Sequence, residues 1–312
     1  MPNPLKPLTM PEYFFRPSQL LLRIRRLLSG VVAGSDRMPE SDRVRLPWGH
    51  TITVRPREVI GAAIWWYGIF DLIVTEAIWR LLDEGETALD IGANLGQMTS
   101  LMRYRAGPAG KVIAFEPHPT LFAELSVIAQ ETPPGLRLAP AETHQSALSD
   151  HEGEAFLDLG NQWEGNRGLA KVVGDTSAGT GSKLKVQLTT LDRILSPETK
   201  VGVCKIDVEG HEAAVFKGAA RVLAQRGIRD IIFEDFQPYP GAVHQLLMDH
   251  GFTLFSLHSR LWRPVLQPAS GPAQFSTHDG VNYLGTLDPE RARQRFKSSG
   301  WFVLRSRGIG HG

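Results

Sequence analysis

The chain has 312 residues, 42% of them apolar, and carries 34 basic against 33 acidic side chains for a net charge of +1. That length and apolar content allow a sizeable core and exclude both a disordered chain and a small stapled module. The charge balance argues against a dedicated polyanion binder, so nucleic acid is not an expected partner. The lone cysteine, Cys204, excludes an intrachain disulfide framework and a multi-cysteine zinc site. A single thiol is compatible with a reducing compartment, and a cytoplasmic location is expected.

Residues 1–60 read as an N-terminal extension. Pro2, Pro4, Pro7, Pro11 and Pro17 discourage regular structure, after which Ser18 can cap a helix to about Ser29 with Gly30 as its stop. Leu20, Leu21, Ile24, Leu27 and Leu28 recur at helical spacing, with Arg23, Arg25 and Arg26 on the remaining surface. Such a basic amphipathic helix suits packing on the main domain or peripheral contact with an anionic membrane or an acidic partner. No basic region opens the chain, so a cleaved signal peptide is not expected. The longest strongly apolar stretch, 61–70, falls short of the roughly 20 residues a membrane span needs. Leu46–Val54 (LPWGHTITV) predicts a short hairpin. Trp65, Trp66, Tyr67, Ile69 and Phe70 then crowd ahead of a helix over 71–82, as core or as the lining of a substrate pocket.

A main domain is expected over 61–290, and from Thr87 strands and helices alternate. Apolar strand-like runs at 87–91, 111–115, 202–207 and 230–234 are followed by helical segments at 95–105, 119–130, 212–226 and 241–250, with a further strand at 136–140. Strands apolar throughout are buried on both faces, which implies a parallel sheet with helices on each side. The late strands 252–257 and 281–286 have no clear helix between them and can pair antiparallel, so a doubly wound, mostly parallel α/β sheet ends in an antiparallel strand. The pieces 154–159 and 184–188 suggest a hairpin-like insertion with a mobile loop over 160–183, and 291–312 reads as a tail.

The strongest local signal is Asp90-Ile91-Gly92-Ala93-Asn94-Leu95-Gly96-Gln97, where a buried strand turns into a helix. In a doubly wound sheet this turn faces the ligand crevice. Its glycine spacing is neither a dinucleotide fingerprint nor a P-loop. Glu116-Pro117 ends the next strand, and a carboxylate there can accept both hydroxyls of a ribose. Asp90, the turn and Glu116 together suit a nucleoside bearing an amino acid, S-adenosylmethionine rather than NAD. At the end of a third strand, Asp207, Glu209 and His211 point toward the same crevice as candidates for a general base. The same acids and histidine could instead hold a divalent cation or, with Glu212, simply favour a helix start. Asp150 in Ser146-Ala147-Leu148-Ser149-Asp150 is placed to reach an exocyclic amine, with a plain turn as the alternative. Cys204 is expected to be buried in a strand.

ALDIGANLGQMTS, GKVIAFEPHP, ALSDHEGEAFL, TTLDRIL, KIDVEGHEAAVFKGA and DIIFED occur in this order over about 72–236, and together they resemble the FkbM family of methyltransferases. The resemblance implies a class I, Rossmann-like S-adenosylmethionine-dependent fold with a seven-stranded sheet. It implies methyl transfer, most often to an oxygen of a sugar, glycan or secondary metabolite. It carries Asp90, Gly92, Ala93, Asn94, Gly96 and Gln97 onto the methionine part of the cofactor, Glu116 and Pro117 onto the ribose, and Ala147 with Asp150 onto the adenine side. Asp207, Glu209 and Gly210 match the second acidic motif, whereas His211 stands where the family often has a small residue. Acceptor choice is expected in the N-terminal extension, the last 50 residues and 160–183. A cofactor-binding protein of the same fold without transfer activity and an NAD-dependent oxidoreductase remain the alternatives.

Overall fold

The computed structural model describes residues 38–161, 163, 165–173, 182–260, 263–271 and 280–305. The basic helix expected over 18–29 lies outside the described residues, as does the middle of the 160–183 loop. Strands β1 (Asp42–Arg45) and β2 (Thr51–Val54) pair antiparallel. The hairpin expected over Leu46–Val54 therefore starts four residues earlier, and Leu46–His50 form its turn. Pro47 and Gly49 suit a turn better than a ladder. Trp48 in that turn is fully buried and donates its Nε1–H to Ser100 Oγ at 3.0 Å.

Helices α1 (Val59–Tyr67) and α2 (Leu72–Leu81) follow, and Asp71 caps α2 by accepting from the Val74 amide. Then come β3 (Thr87–Ile91), α3 (Gln97–Ala106), β4 (Lys111–Phe115), α4 (Pro119–Gln130) and β5 (Ala141–His144). The strand expected at 136–140 is displaced to 141–144, because the Pro133–Leu136 turn and Pro140 take the preceding residues out of the ladder. Strands β6 (Ala147–Leu148), β7 (Gly153–Asp158), β8 (Lys171–Val173) and β9 (Lys183–Thr189) form a separate sheet in the order β6-β9-β7-β8. The insertion is thus a small sheet of its own rather than a single hairpin.

The chain continues through α5 (Leu191–Ile194), β10 (Val201–Ile206), α6 (Glu212–Lys217), α7 (Ala220–Ala224), β11 (Ile228–Asp235) and α8 (Ala242–Asp249). It ends with β12 (Thr253–Arg260), β13 (Arg263–Pro268), β14 (Val281–Thr286), α9 (Pro289–Lys297) and α10 (Phe302–Arg305). The helix expected over 212–226 is broken at Gly218, where an added Cβ would lie 1.9 Å from the Ser149 carbonyl oxygen.

Among the described residues the main sheet is an α/β doubly wound sheet of eight strands in the order β13-β12-β14-β11-β10-β3-β4-β5. Five adjacent strands, β11 to β5, run parallel, while β14 lies antiparallel between β11 and β12. The eighth strand, β13, exceeds the expected seven. Pro264 and Pro268 hide it from a strand reading, yet at a sheet edge prolines are tolerated. Because β3 pairs with both β10 and β4, the strand order reverses there, and the crevice opens over the carboxyl ends of these strands.

Alternation within the strands builds the two faces of the core. Ala88, Val112, Val203 and Ile232 pack with α2 and α3, whereas Leu89, Ile113, Cys204 and Ile231 pack on the opposite face. Burial pushes the Cys204 thiol pKa far up, which leaves it an inert core residue. Among the described residues no single helix is long and apolar enough to cross a membrane.

The segment expected as a tail from 291 is docked as far as Arg305. Arg80 and Glu76, both buried on α2, pair at 2.7 Å. Arg80 also donates to the carbonyls of Arg295 (2.7 Å), Ser298 (3.1 Å) and Gly300 (2.6 Å), while Glu76 accepts the amides of Phe302 (2.9 Å) and Val303 (2.8 Å). Removing one partner of such a buried pair strands the other. Arg80→Met is expected to cost about 3–5 kcal/mol in denaturant unfolding and to expose the 289–305 segment to limited proteolysis.

Candidate functional site

A cleft of about 900 Å³ lies over the carboxyl ends of β3, β4, β10 and β11. The turn after β3 forms its floor. Gly92 has φ +74°, and a Cβ there would meet the Asp207 carbonyl oxygen at 1.9 Å, so β10 approaches where only glycine fits. The Gly92 and Ala93 amides donate to Phe115 O (3.1 and 2.9 Å), and the Asp207 amide donates to Ile91 O (3.1 Å). The Asn94 amide donates to Glu116 Oε2 at 2.9 Å, and Gly96 caps α3. Three strand ends are thereby stitched around one bend.

Asp90 does not face the cleft. Strand alternation puts it on the face of Ala88, against α3, where it is fully buried and accepts from Thr99 Oγ1 at 2.5 Å. Its Oδ1 has no hydrogen bond but lies 3.7 Å from Lys205 Nζ. The expectation that Asp90 meets a ligand directly is therefore corrected: it supports the turn from below. Lys205 is the residue the motif reading passed over. Its Nζ donates to Gly92 O at 2.7 Å and lies 3.5 Å from Asp207 Oδ2. Burial presses its pKa down, but Asp207 and Asp90 outweigh burial and hold the ammonium charged. The available signal was one lysine in an otherwise apolar strand.

Glu116 lines the cleft at the tip of β4, as expected for a ribose acceptor. Burial pushes its pKa up to about 7 against the amides of His118 and Asn94, which its two oxygens accept at 2.9 Å each. Pro117 and Ala147 line the cleft too. Gln97 lines it, but its amide group is committed to Phe70, accepting from N at 2.8 Å and donating to O at 2.9 Å. Asp150 is not among the lining residues. Its side chain is 44% exposed and bonds His151 Nδ1 at 2.6 Å, so the expected contact with an adenine amine is not supported. Ser149, one position earlier, is the residue turned inward, within 3.0 Å of His211 Nε2.

Asp207, Glu209 and His211 line the same cleft, as the sequence indicates. Glu209 sits at φ +53°, and burial followed by repulsion from Asp207 raises its pKa to about 7. Burial lowers the pKa of His211, keeping the imidazole neutral. Glu212 instead folds onto the amides of Val208 (3.4 Å) and Gly210 (3.2 Å), the helix-start role considered for it. Among the described residues no group of three or more His, Cys, Asp or Glu is arranged to hold a metal ion. Asp207 is tied to Lys205 and His211 to Ser149, so the candidate divalent-cation site is not supported.

Two further acids, Asp71 and Glu234, reach the cleft from elements remote in sequence, with pKa values raised by burial to about 6 and about 7. Trp66, Tyr67, Ile69 and Phe70 line it, whereas Trp65 belongs to the core. Arg167 closes one wall. It is almost fully buried, donates to Glu58 Oε2 at 2.7 Å, and forks onto Glu124 at 2.9 and 3.2 Å. This fork anchors part of the loop expected to be mobile.

The methyltransferase FkbM domain matches residues 90–254, more than half of the chain. The chain belongs to the FkbM methyltransferase family. It is 27% identical to methyltransferase sdnD of Sordaria araneosa over 194 residues, 53% of this chain and 73% of that protein. Among solved structures, methyltransferase FkbM of Methylobacillus flagellatus KT aligns with TM-score 0.39 and 14% identity over 64% of this chain. The chain spans only 43% of that structure's length. Fibrillarin of Aeropyrum pernix, with S-adenosyl-L-methionine natively bound, aligns with TM-score 0.36 and 15% identity over 80% of this chain and 96% of its own. The family match sets aside the NAD-dependent oxidoreductase alternative.

Gly92→Ala is expected to abolish the β3–β10 approach, seen as loss of ligand-induced thermal shift and a fall in melting temperature of several degrees. A second prediction concerns Glu234, whose pKa is raised in the folded chain from 4.5 to about 7. The folded state then binds the proton more tightly than the unfolded state. Stability falls as pH rises from about 4.5 to about 7, and the cost is fully present above that window. Glu234→Gln should accordingly raise the melting temperature by roughly 2 °C at pH 8 and leave it unchanged near pH 4, as scanning fluorimetry would read.

Proposed function

We propose that the chain transfers a methyl group from S-adenosylmethionine to a hydroxyl oxygen of a small-molecule or glycan acceptor, such as a sugar or secondary metabolite. The observation that carries this reading is that Glu116, the Gly92–Gly96 bend and the Asp207–His211 segment share one cleft at the strand switch point. The residues fit the cofactor. Glu116 accepts only one amide on each oxygen, which leaves lone pairs for ribose hydroxyls. Its position next to the bend matches ribose and methionine parts lying side by side. The carboxylates of Asp207, Glu209 and Glu234 suit a cationic sulfonium.

When bound, S-adenosylmethionine supplies an electrophilic methyl carbon. The chain's own work is then mostly alignment, worth about 7–11 kcal/mol when reacting atoms are held in line. Lys205 holds Asp207 and the Gly92 carbonyl in fixed relation, which sets the spacing between the cofactor side and the acceptor side. His211 lines the cleft with its pKa lowered, which supports its reading as the base that takes the hydroxyl proton as the new bond forms. Asp207 and Glu209 shape the field around it.

Calorimetry with S-adenosylmethionine and S-adenosylhomocysteine tests the cofactor assignment. Glu116→Ala should weaken both by about tenfold or more, the loss expected for a charge-assisted hydrogen bond. Glu116, Glu209 and Glu234, with pKa values near 7, shed protons between about pH 6 and 8. The cleft becomes more negative across that range, so affinity for the sulfonium should rise relative to the neutral thioether. A ratio flat in pH, or intact binding in Glu116→Ala, would overturn the assignment. Labelled methyl transfer into hydroxylated acceptors tests the reaction and separates an enzyme from a protein that only binds the cofactor. There His211→Ala should lower turnover by about 10²–10⁴-fold while cofactor affinity is kept.

A further inference from the structure

We propose that Ser149, backed by Asp150, is a positioning residue that fixes the tautomer of His211, with the proton on Nε2 and the lone pair of Nδ1 left for the cleft. The inference rests on the reading of His211 as the base. It follows from counting protons. A serine hydroxyl has one proton to give. Ser149 Oγ donates it to Asp150 Oδ1 at 3.3 Å, while His211 Nε2 lies 3.0 Å from the same oxygen. A carboxylate can only accept. The hydrogen bond from His151 holds the Asp150 carboxyl below its ordinary range, which keeps it ionised. Ser149 Oγ must then accept from His211, so Nε2 carries the hydrogen. Among the described residues Nδ1 has no hydrogen-bond partner.

The serine is held firmly enough to act this way. Its amide donates to Thr189 O at 2.8 Å, beside the β6–β9 pairing. Its carbonyl oxygen presses on Gly218, where a Cβ would sit at 1.9 Å. Gly218 follows the last residue of α6 and His211 precedes its first. Both ends of this short helix thus rest on one residue, the hydroxyl meeting the His211 ring and the carbonyl meeting Gly218. A tautomer set by a neighbouring hydrogen bond is the general way an imidazole base is aimed. Here the neighbour lies 62 positions away in the chain, directly after β6 of the small insertion sheet.

The test reads the ring rather than turnover. The full chain is labelled with ¹⁵N-histidine, His211 is assigned by the signal lost in His211→Gln, and long-range ¹H–¹⁵N spectra report which nitrogen is protonated. The expected result is a single Nε2–H tautomer in the native chain. Ser149→Ala should lose that single signature, Ser149→Thr should restore it, and Asp150→Ala should move the ring toward Nδ1–H by freeing the serine proton for Nε2. Asp150 is exposed, so its replacement tests the relay even if Ser149→Ala fails to fold. An Nδ1–H tautomer in the native chain would overturn the proposal, and so would a ring unchanged in Asp150→Ala. Calorimetry with S-adenosylhomocysteine on the same samples keeps the two readings apart. Absent binding sinks the proposed function, whereas the spectra decide the tautomer either way.

Discussion

A single buried ammonium holds the site together. Lys205 sits in the middle of the sheet, where taking a charge out of water costs several kcal/mol. The cost is offset by three oxygens on two strands: the Gly92 carbonyl, Asp90 and Asp207. Without the lysine, Asp90 would be a fully buried carboxylate facing no cation, and Asp207 would have no tether. The close approach of Gly92 to Asp207 is the steric counterpart of the same contact. Charge and shape together join the bend that begins the crevice to the segment that ends it.

What could be read from the sequence divides along physical lines. Strand ends and the turns after them are local, so the bend at 92–96, Glu116 and the 207–211 segment were legible from alternation and glycine placement, and all three reach the cleft. Side-chain direction at a given strand position is less local. Asp90 reads as facing the ligand, yet it shares a face with Ala88, and Asp150 reads as facing the cleft, yet its exposed side chain turns to His151. Contacts between distant segments left no periodic trace. Asp71 and Glu234 join the cleft only through the packing of α2 and β14 on β11, and Arg167 finds Glu58 and Glu124 from 109 and 43 positions away. The strand β13 was hidden by its own prolines, which mark the edge it occupies.

The electrostatics of the cleft follow from this convergence. Asp207 raises the pKa of Asp71, Glu209 and Glu234 by repulsion added to burial, so at pH 7 Glu209 and Glu234 still hold part of their protons while the cleft keeps a negative excess. Such a group of carboxylates is costly to the free fold. A positively charged ligand relieves that cost, so part of the binding energy comes from strain already present in the free chain. Of the basic side chains lining the cleft, Lys205 is committed to the floor and Arg167 to Glu58 and Glu124, while Lys171 offsets only part of the charge through its attraction for Glu209.

The walls differ from the floor in kind. Val59, Leu169 and Phe236 are large apolar side chains exposed at 37%, 42% and 47%, and all three line the cleft. They come from α1, from the turn beside Arg167 and from the loop after β11, so three separate insertions into the sheet architecture meet at one rim. Apolar side chains left in water at a cleft mouth cost the free protein solvation energy that a bound molecule recovers. The floor, built from strand ends locked by backbone bonds, is constrained by the cofactor geometry. The rim is constrained only by its anchors, of which the Arg167 fork is the tightest. Change at the rim can therefore alter what the cleft admits without disturbing the Lys205 contact beneath it. Under the proposed function, that separation lets the acceptor side change while the cofactor side is kept.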